Sequence, residues 1–127
     1  MDADQPERTP DGRYIVVNGR RWRATDPEIP EDIAAGLRRH LMAARRAIAA
    51  SHRNADPAAE KRARSRVHAA KVALGERSTA WWEQSLAERR RRWETGAAEL
   101  DATQEPGQPA ARAADGESRP PRRKRSD

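Results

Sequence analysis

An Asn18-Gly19 pair stands between Arg13-Tyr14-Ile15-Val16-Val17 and Arg20-Arg21-Trp22-Arg23. It constrains the fold more than any other feature of the chain. Both residues of the tightest hairpin loop need positive φ, which Asn-Gly supplies, and that loop has the twist of paired strands. The block predicts a β-hairpin with Val17 opposite Arg20, Val16 opposite Arg21, Ile15 opposite Trp22 and Tyr14 opposite Arg23. Opposed residues share a face. Ile15, Val17 and Trp22 are therefore expected to face the core, and Tyr14, Val16, Arg21 and Arg23 to face outward. No other segment reads as a strand. A lone hairpin is marginal in water, so this one is expected to lie on helices.

The rest of the chain reads as helix. Thr25-Asp26-Pro27-Glu28-Ile29-Pro30-Glu31-Asp32 is a helix start, with Thr25 or Asp26 as cap, proline in the first turn and acids at the positive end of the dipole. The first helix is expected to run to about Arg53. Ile33, Leu37, Leu41, Ala44 and Ile48 form its apolar stripe, with Arg38, Arg39, Arg45, Arg46 and Arg53 opposite. Asn54-Ala55-Asp56-Pro57 breaks and restarts it. The second helix, striped by Ala63, Val67, Ala70 and Leu74, stops at Gly75. So short a link predicts an antiparallel pair. A loop carrying Trp81-Trp82 follows, and then Ser85-Leu86-Ala87-Glu88, a capping box. The third helix would bury Leu86, Trp93, Ala97 and Leu100, while Gly96 and the charge run Arg89–Arg92 weaken it.

Charged residues make up 36% of the 127 and apolar ones 35%, with no Phe, so the core must be small. The chain reads as one α-rich domain over residues 11–100. Residues 1–10 are expected to be a disordered acidic leader, and residues 101–127 a disordered basic, Pro-rich tail. The absence of cysteine excludes disulfides and thiolate metal sites. The acidic start is unlike a signal peptide and no apolar run is long enough to span a membrane, so the expected location is cytoplasmic.

The net charge of +6 is unevenly spread. Residues 1–12 carry −3, residues 13–53 carry +5 and residues 54–79 carry +3, whereas residues 80–100 are neutral and residues 101–127 carry +1. A basic surface of this kind suits polyanions, nucleic acid first among them. Of the 26 basic residues only Lys61, Lys71 and Lys124 are lysine. Arg, Ala, Pro and Gly all have GC-rich codons, so genome composition accounts for part of the excess. The expected phosphate contacts are Arg20, Arg21 and Arg23 on the hairpin and Arg38, Arg45 and Arg46 on the first helix. In the tail they are Arg122, Arg123, Lys124 and Arg125. An alternative is a protein-interaction adaptor anchored by Trp81 and Trp82, if these are exposed rather than core. His40, His52 and His68 show no metal-ligand spacing, and no nucleophile elbow or phosphate loop occurs. An enzyme would need a deep pocket with His40 or His68 beside a carboxylate. No catalytic residue, cofactor or metal is expected.

The blocks from Asp11 to Pro27, Leu41-Met42-Ala43-Ala44-Arg45-Arg46-Ala47, Ala70-Lys71-Val72-Ala73-Leu74-Gly75-Glu76-Arg77 and Trp81-Trp82-Glu83 occur in order. Together they resemble a group of small, mostly actinobacterial proteins, some carrying the label biopolymer transporter Tol. The resemblance covers roughly residues 11–95. It implies a shared small domain and no particular activity. The expectation is a mainly α fold with one N-terminal β-hairpin, packed on an antiparallel helix pair plus a third helix. Its function would be that of a small basic, non-enzymatic binding module, with nucleic acid or another protein as partner.

Overall fold

Three antiparallel strands precede three helices in the computed structural model, which describes residues 7–103. The strands are β1 (Glu7–Arg8), β2 (Tyr14–Val17) and β3 (Arg20–Arg23), in the order β1-β2-β3. The helices are α1 (Glu31–Arg53), α2 (Pro57–Ala73) and α3 (Leu86–Ala102), and a single 3-10 turn at Trp81–Glu83 precedes α3. The β2–β3 register is the one the loop dictates, from Tyr14 opposite Arg23 to Val17 opposite Arg20. Asn18 and Gly19 both have positive φ, at 53° and 78°.

The hairpin is extended to a sheet by residues expected to be a disordered leader. Glu7 pairs with Val16 and Arg8 with Ile15. The cause is the turn Thr9-Pro10-Asp11-Gly12. Proline pre-sets one φ, Gly12 takes φ 76°, and the Gly12 N–H donates to the Thr9 carbonyl at 2.8 Å. The Asp11 carboxylate closes the turn, accepting from Thr9 Oγ1 at 2.7 Å and from the Arg13 N–H at 3.0 Å. Residues 1–6 lie outside the described residues, as do 104–127 with most of the expected tail. Asp101 and Ala102, placed in that tail by the sequence, instead complete α3.

The sheet's orientation reverses the expectation. Trp22 is 44% exposed and Val17 39%, although both were assigned to the core. Tyr14 and Arg23 are the residues that meet the rest of the chain, through Trp82 and Ser78. The helical core is closed by its own side chains, and the face that docks is the one carrying Tyr14, against Trp82. The core is filled by Ile29, Leu37, Leu41, Leu74, Trp93 and Leu100 around Ala34, Ala70 and Ala73.

The helices follow their stripes. Leu37, Leu41 and Ala44 of α1 are buried against Ala63, Ala70 and Ala73 of α2, so the antiparallel pair closes on small side chains. α1 ends in a Schellman turn in which Ala55 takes φ 50°, and Asp56 caps α2 by accepting the Ala59 N–H at 3.1 Å. Both halves of the Ser85–Glu88 capping box are formed. Leu86, the first residue of α3, is 62% exposed, not buried. Gly96 does not weaken α3. A Cβ there would lie 2.5 Å from the Ala73 Cβ, so glycine is what lets α3 approach α2. Among the described residues no helix is long and apolar enough to cross a membrane.

Candidate nucleic-acid interface

A buried aspartate positions the sheet. Asp26, expected to cap α1, instead lies with its side chain fully buried between the end of α2 and α3. It accepts from Arg89 Nε at 3.0 Å and Nη2 at 2.5 Å, from Arg92 Nη2 at 2.6 Å, and from the Glu28 N–H at 2.9 Å. Burial pushes the Asp26 pKa up. The bonds from Arg89, Arg92 and Glu28 outweigh that and hold it below the ordinary aspartate value. The charge run on α3 is thus half structural. With Asp26 occupied, α1 starts at Glu31 after Pro30, without a side-chain cap.

Neighbouring bonds fasten the same linker. The Asp26 N–H donates to the Leu74 carbonyl at 2.9 Å, and Trp81 Nε1–H to the Ala24 carbonyl at 3.0 Å. Thr25 Oγ1 donates to Glu76 at 2.6 Å. Gly75, at φ 85°, leaves room for this junction. A Cβ there would lie 3.1 Å from both Asp26 Cβ and Trp81 Cδ1.

On this base stands a stack of rings and guanidiniums. Trp81 is buried, and Trp82 meets it edge-on at 5.0 Å between centroids. Tyr14 meets Trp82 edge-on at 5.5 Å. Arg21 lies over Tyr14 at 4.2 Å, while Arg13 and Arg23 lie over Trp82 at 4.8 and 5.8 Å. Arg23 also donates to the Ser78 carbonyl at 2.7 Å. On the opposite face of the sheet Arg20 lies over Trp22 at 4.3 Å. Cation–π contact holds a guanidinium flat on a ring and leaves in-plane N–H groups for an anion.

Among the described residues no carboxylate lies within 4.0 Å of Arg13, Arg20, Arg21 or Arg23. Asp11 is the nearest influence. Hydrogen bonds from Thr9 and the Arg13 N–H, reinforced by the charges of Arg13 and Arg21, lower its pKa. The α1 arginines differ. Arg38 is bonded to Glu31 at 2.8 Å, Arg45 turns toward Met42 Sδ at 3.9 Å, and Arg46 is exposed. No strand packs extensively on α1. Arg122, Arg123, Lys124 and Arg125 lie outside the described residues.

Arg13 belongs to this surface although its side chain lies outside the paired strands. Arg8 lies in the Ile15–Trp22 row on the opposite face, with Nη1 donating to the Gly12 carbonyl at 3.2 Å, and the Thr9-Pro10-Asp11-Gly12 turn is its sequence signal. His40 does sit beside a carboxylate, with Nε2 2.7 Å from Asp101 Oδ1. There it fastens the end of α3, next to buried Arg66, whose guanidinium donates to the Thr103 carbonyl and to Thr103 Oγ1. Three clefts run along α2; neither His40 nor any strand residue lines them, and His68, which lines two, has its Nδ1 3.3 Å from Arg77 Nη1. No group of three His, Asp or Glu among the described residues is placed to hold a metal ion.

Comparison with protein-family models, with curated proteins and with solved structures returns no match.

Proposed function

We propose that this protein is a small, non-enzymatic nucleic-acid-binding module that grips phosphates with the arginines of its N-terminal sheet. One observation carries the reading. Arg13, Arg20, Arg21 and Arg23 are held on aromatic rings with no carboxylate partner among the described residues, whereas Arg89 and Arg92 are consumed by Asp26. Guanidiniums held in place but not neutralised suit phosphate, which takes bidentate N–H donation. Arg38, Arg45 and Arg46 and the distal Arg122, Arg123, Lys124 and Arg125 would add unspecific attraction.

The adaptor reading has less support. Burial of Trp81, with its N–H bonded inward, leaves Trp82 alone as a half-exposed anchor.

The test is binding across a salt series for three full-length proteins: the natural chain, a sheet variant (Arg13→Gln, Arg21→Gln, Arg23→Gln) and a tail variant (Arg122→Gln, Arg123→Gln, Lys124→Gln, Arg125→Gln). Each lost phosphate contact lowers the slope of log K against log salt by about 0.7–0.9. The sheet variant is expected to lose two to three such contacts, at about that size each. A sheet variant that binds like the natural chain, or no binding at low salt, refutes the reading.

A further inference from the structure

The outer face of the sheet sets Arg20, one of the proposed phosphate contacts, among apolar residues that those contacts do not use. The pairing puts Arg8, Ile15 and Trp22 in one row across the three strands, with Val17 and Arg20 in the next. Trp22 is 44% exposed and Val17 39%, Ile15 is half-buried, and among the described residues no acidic side chain lies in either row. Isolated apolar residues on a surface need no explanation, but these three adjoin one another and are flanked by arginines. Arg20 covers one side of the indole at 4.3 Å, which fixes the ring while the remaining surface stays open to solvent.

A flat ring set among cations on a sheet fits one chemistry well. A nucleobase offers a π-face to the indole, and its phosphates on either side meet Arg8 and Arg20. Duplex bases are already stacked on one another and present only edges and backbone to a flat sheet. We infer that the outer sheet face binds single-stranded nucleic acid, with an unpaired base stacked on Trp22. This rests on the phosphate-binding reading above and adds a preference that charge alone does not give. A protein partner is less favoured, since the basic flanks would have to be matched by acids across the apolar row.

The experiment measures anisotropy of a short labelled oligothymidylate, the matching oligouridylate and a mixed-sequence duplex of equal length. The full natural chain is compared with Trp22→Leu and Trp22→Tyr. Leucine keeps apolar bulk without the π-face, and tyrosine restores a ring. Circular dichroism confirms folding, which an exposed position should not disturb.

The expected result is tighter binding of both single strands than of the duplex. Trp22→Leu should weaken single-strand binding about 5- to 150-fold, the range of one base–aromatic stack, with little change for the duplex and recovery in Trp22→Tyr. A larger effect on one of the two single strands assigns the site to DNA or to RNA. Equal effects of Trp22→Leu on single strand and duplex, or none on either, overturn this inference and leave the phosphate reading standing. No binding of any probe by the natural chain overturns both. A natural chain that sediments as a dimer, with Trp22→Leu monomeric, gives the face to a second copy and also overturns the inference.

Discussion

Asp26 carries more of the architecture than any other side chain. It is a fully buried charge neutralised by two arginines 63 and 66 residues away, and the α2 terminus and α3 converge on it just after the sheet ends. Removing one partner of a buried ion cluster strands the others. Asp26→Asn should cost about 3–5 kcal/mol, read from the urea midpoint at neutral pH. Its pH dependence has a defined sign. The folded pKa of Asp26 lies below its unfolded value, so its contribution is complete above the ordinary aspartate range. It is lost as pH falls through the lowered folded value. The natural chain should lose stability over that acid window, and Asp26→Asn should show a shallower acid limb. A residual slope belongs to Asp11 and Glu60, whose pKa values are also lowered. None of this is legible from spacing. Asp26 before a proline has the local signature of a cap, and Arg89–Arg92 reads as a solvated run. Only the chain's return brings them together.

Helix stripes and turn chemistry are written locally, and at the scale of elements the sequence is largely legible. Asn18-Gly19, the Asp56 cap and the Ser85 capping box all appear as read. β1 was readable too, since Thr9-Pro10-Asp11-Gly12 is a turn signal as direct as Asn-Gly, though it leads to a strand of only two residues. The core face of the sheet was misread because alternation separates two faces without saying which one docks. Tyr14 finds Trp82, and that contact decides it.

Two substitutions test elements against propensity. Gly96→Ala improves helix propensity by about 1 kcal/mol, yet it should destabilise the protein, because its Cβ would lie 2.5 Å from that of Ala73. A lower melting temperature checks this, and a higher one would show that α3 slides away without cost. Ala55→Gly should act oppositely. Ala55 holds φ 50° at the end of α1, a conformation that costs an L-residue roughly 1–2 kcal/mol, against about 0.4–1 kcal/mol of added unfolded-state entropy for glycine. A net gain of about 0.5–1 kcal/mol is expected in chemical denaturation.

The whole molecule divides its labour. The helices hold the apolar core, and the sheet displays rings and cations outside it. The sequence marks the hairpin arginines of the candidate site and places further ones along α1 and in the tail, because a helical wheel orders residues within one helix and not between elements. It also assigned Trp22 inward, since apolar residues are by default given to a core. What joins the two parts is a handful of directional bonds, among them Asp26 to Leu74, Trp81 to Ala24 and Arg23 to Ser78. There is little interdigitated apolar packing between strands and helices. Such a junction can open without melting what lies behind it. Amide exchange should therefore come in two tiers, with Tyr14–Val17 and Arg20–Arg23 labelling early and the buried turns of α1 and α2 close to the global rate. A ligand seated on the sheet would slow the first tier while the second stays as it was, which makes the strand amides a built-in gauge of occupancy.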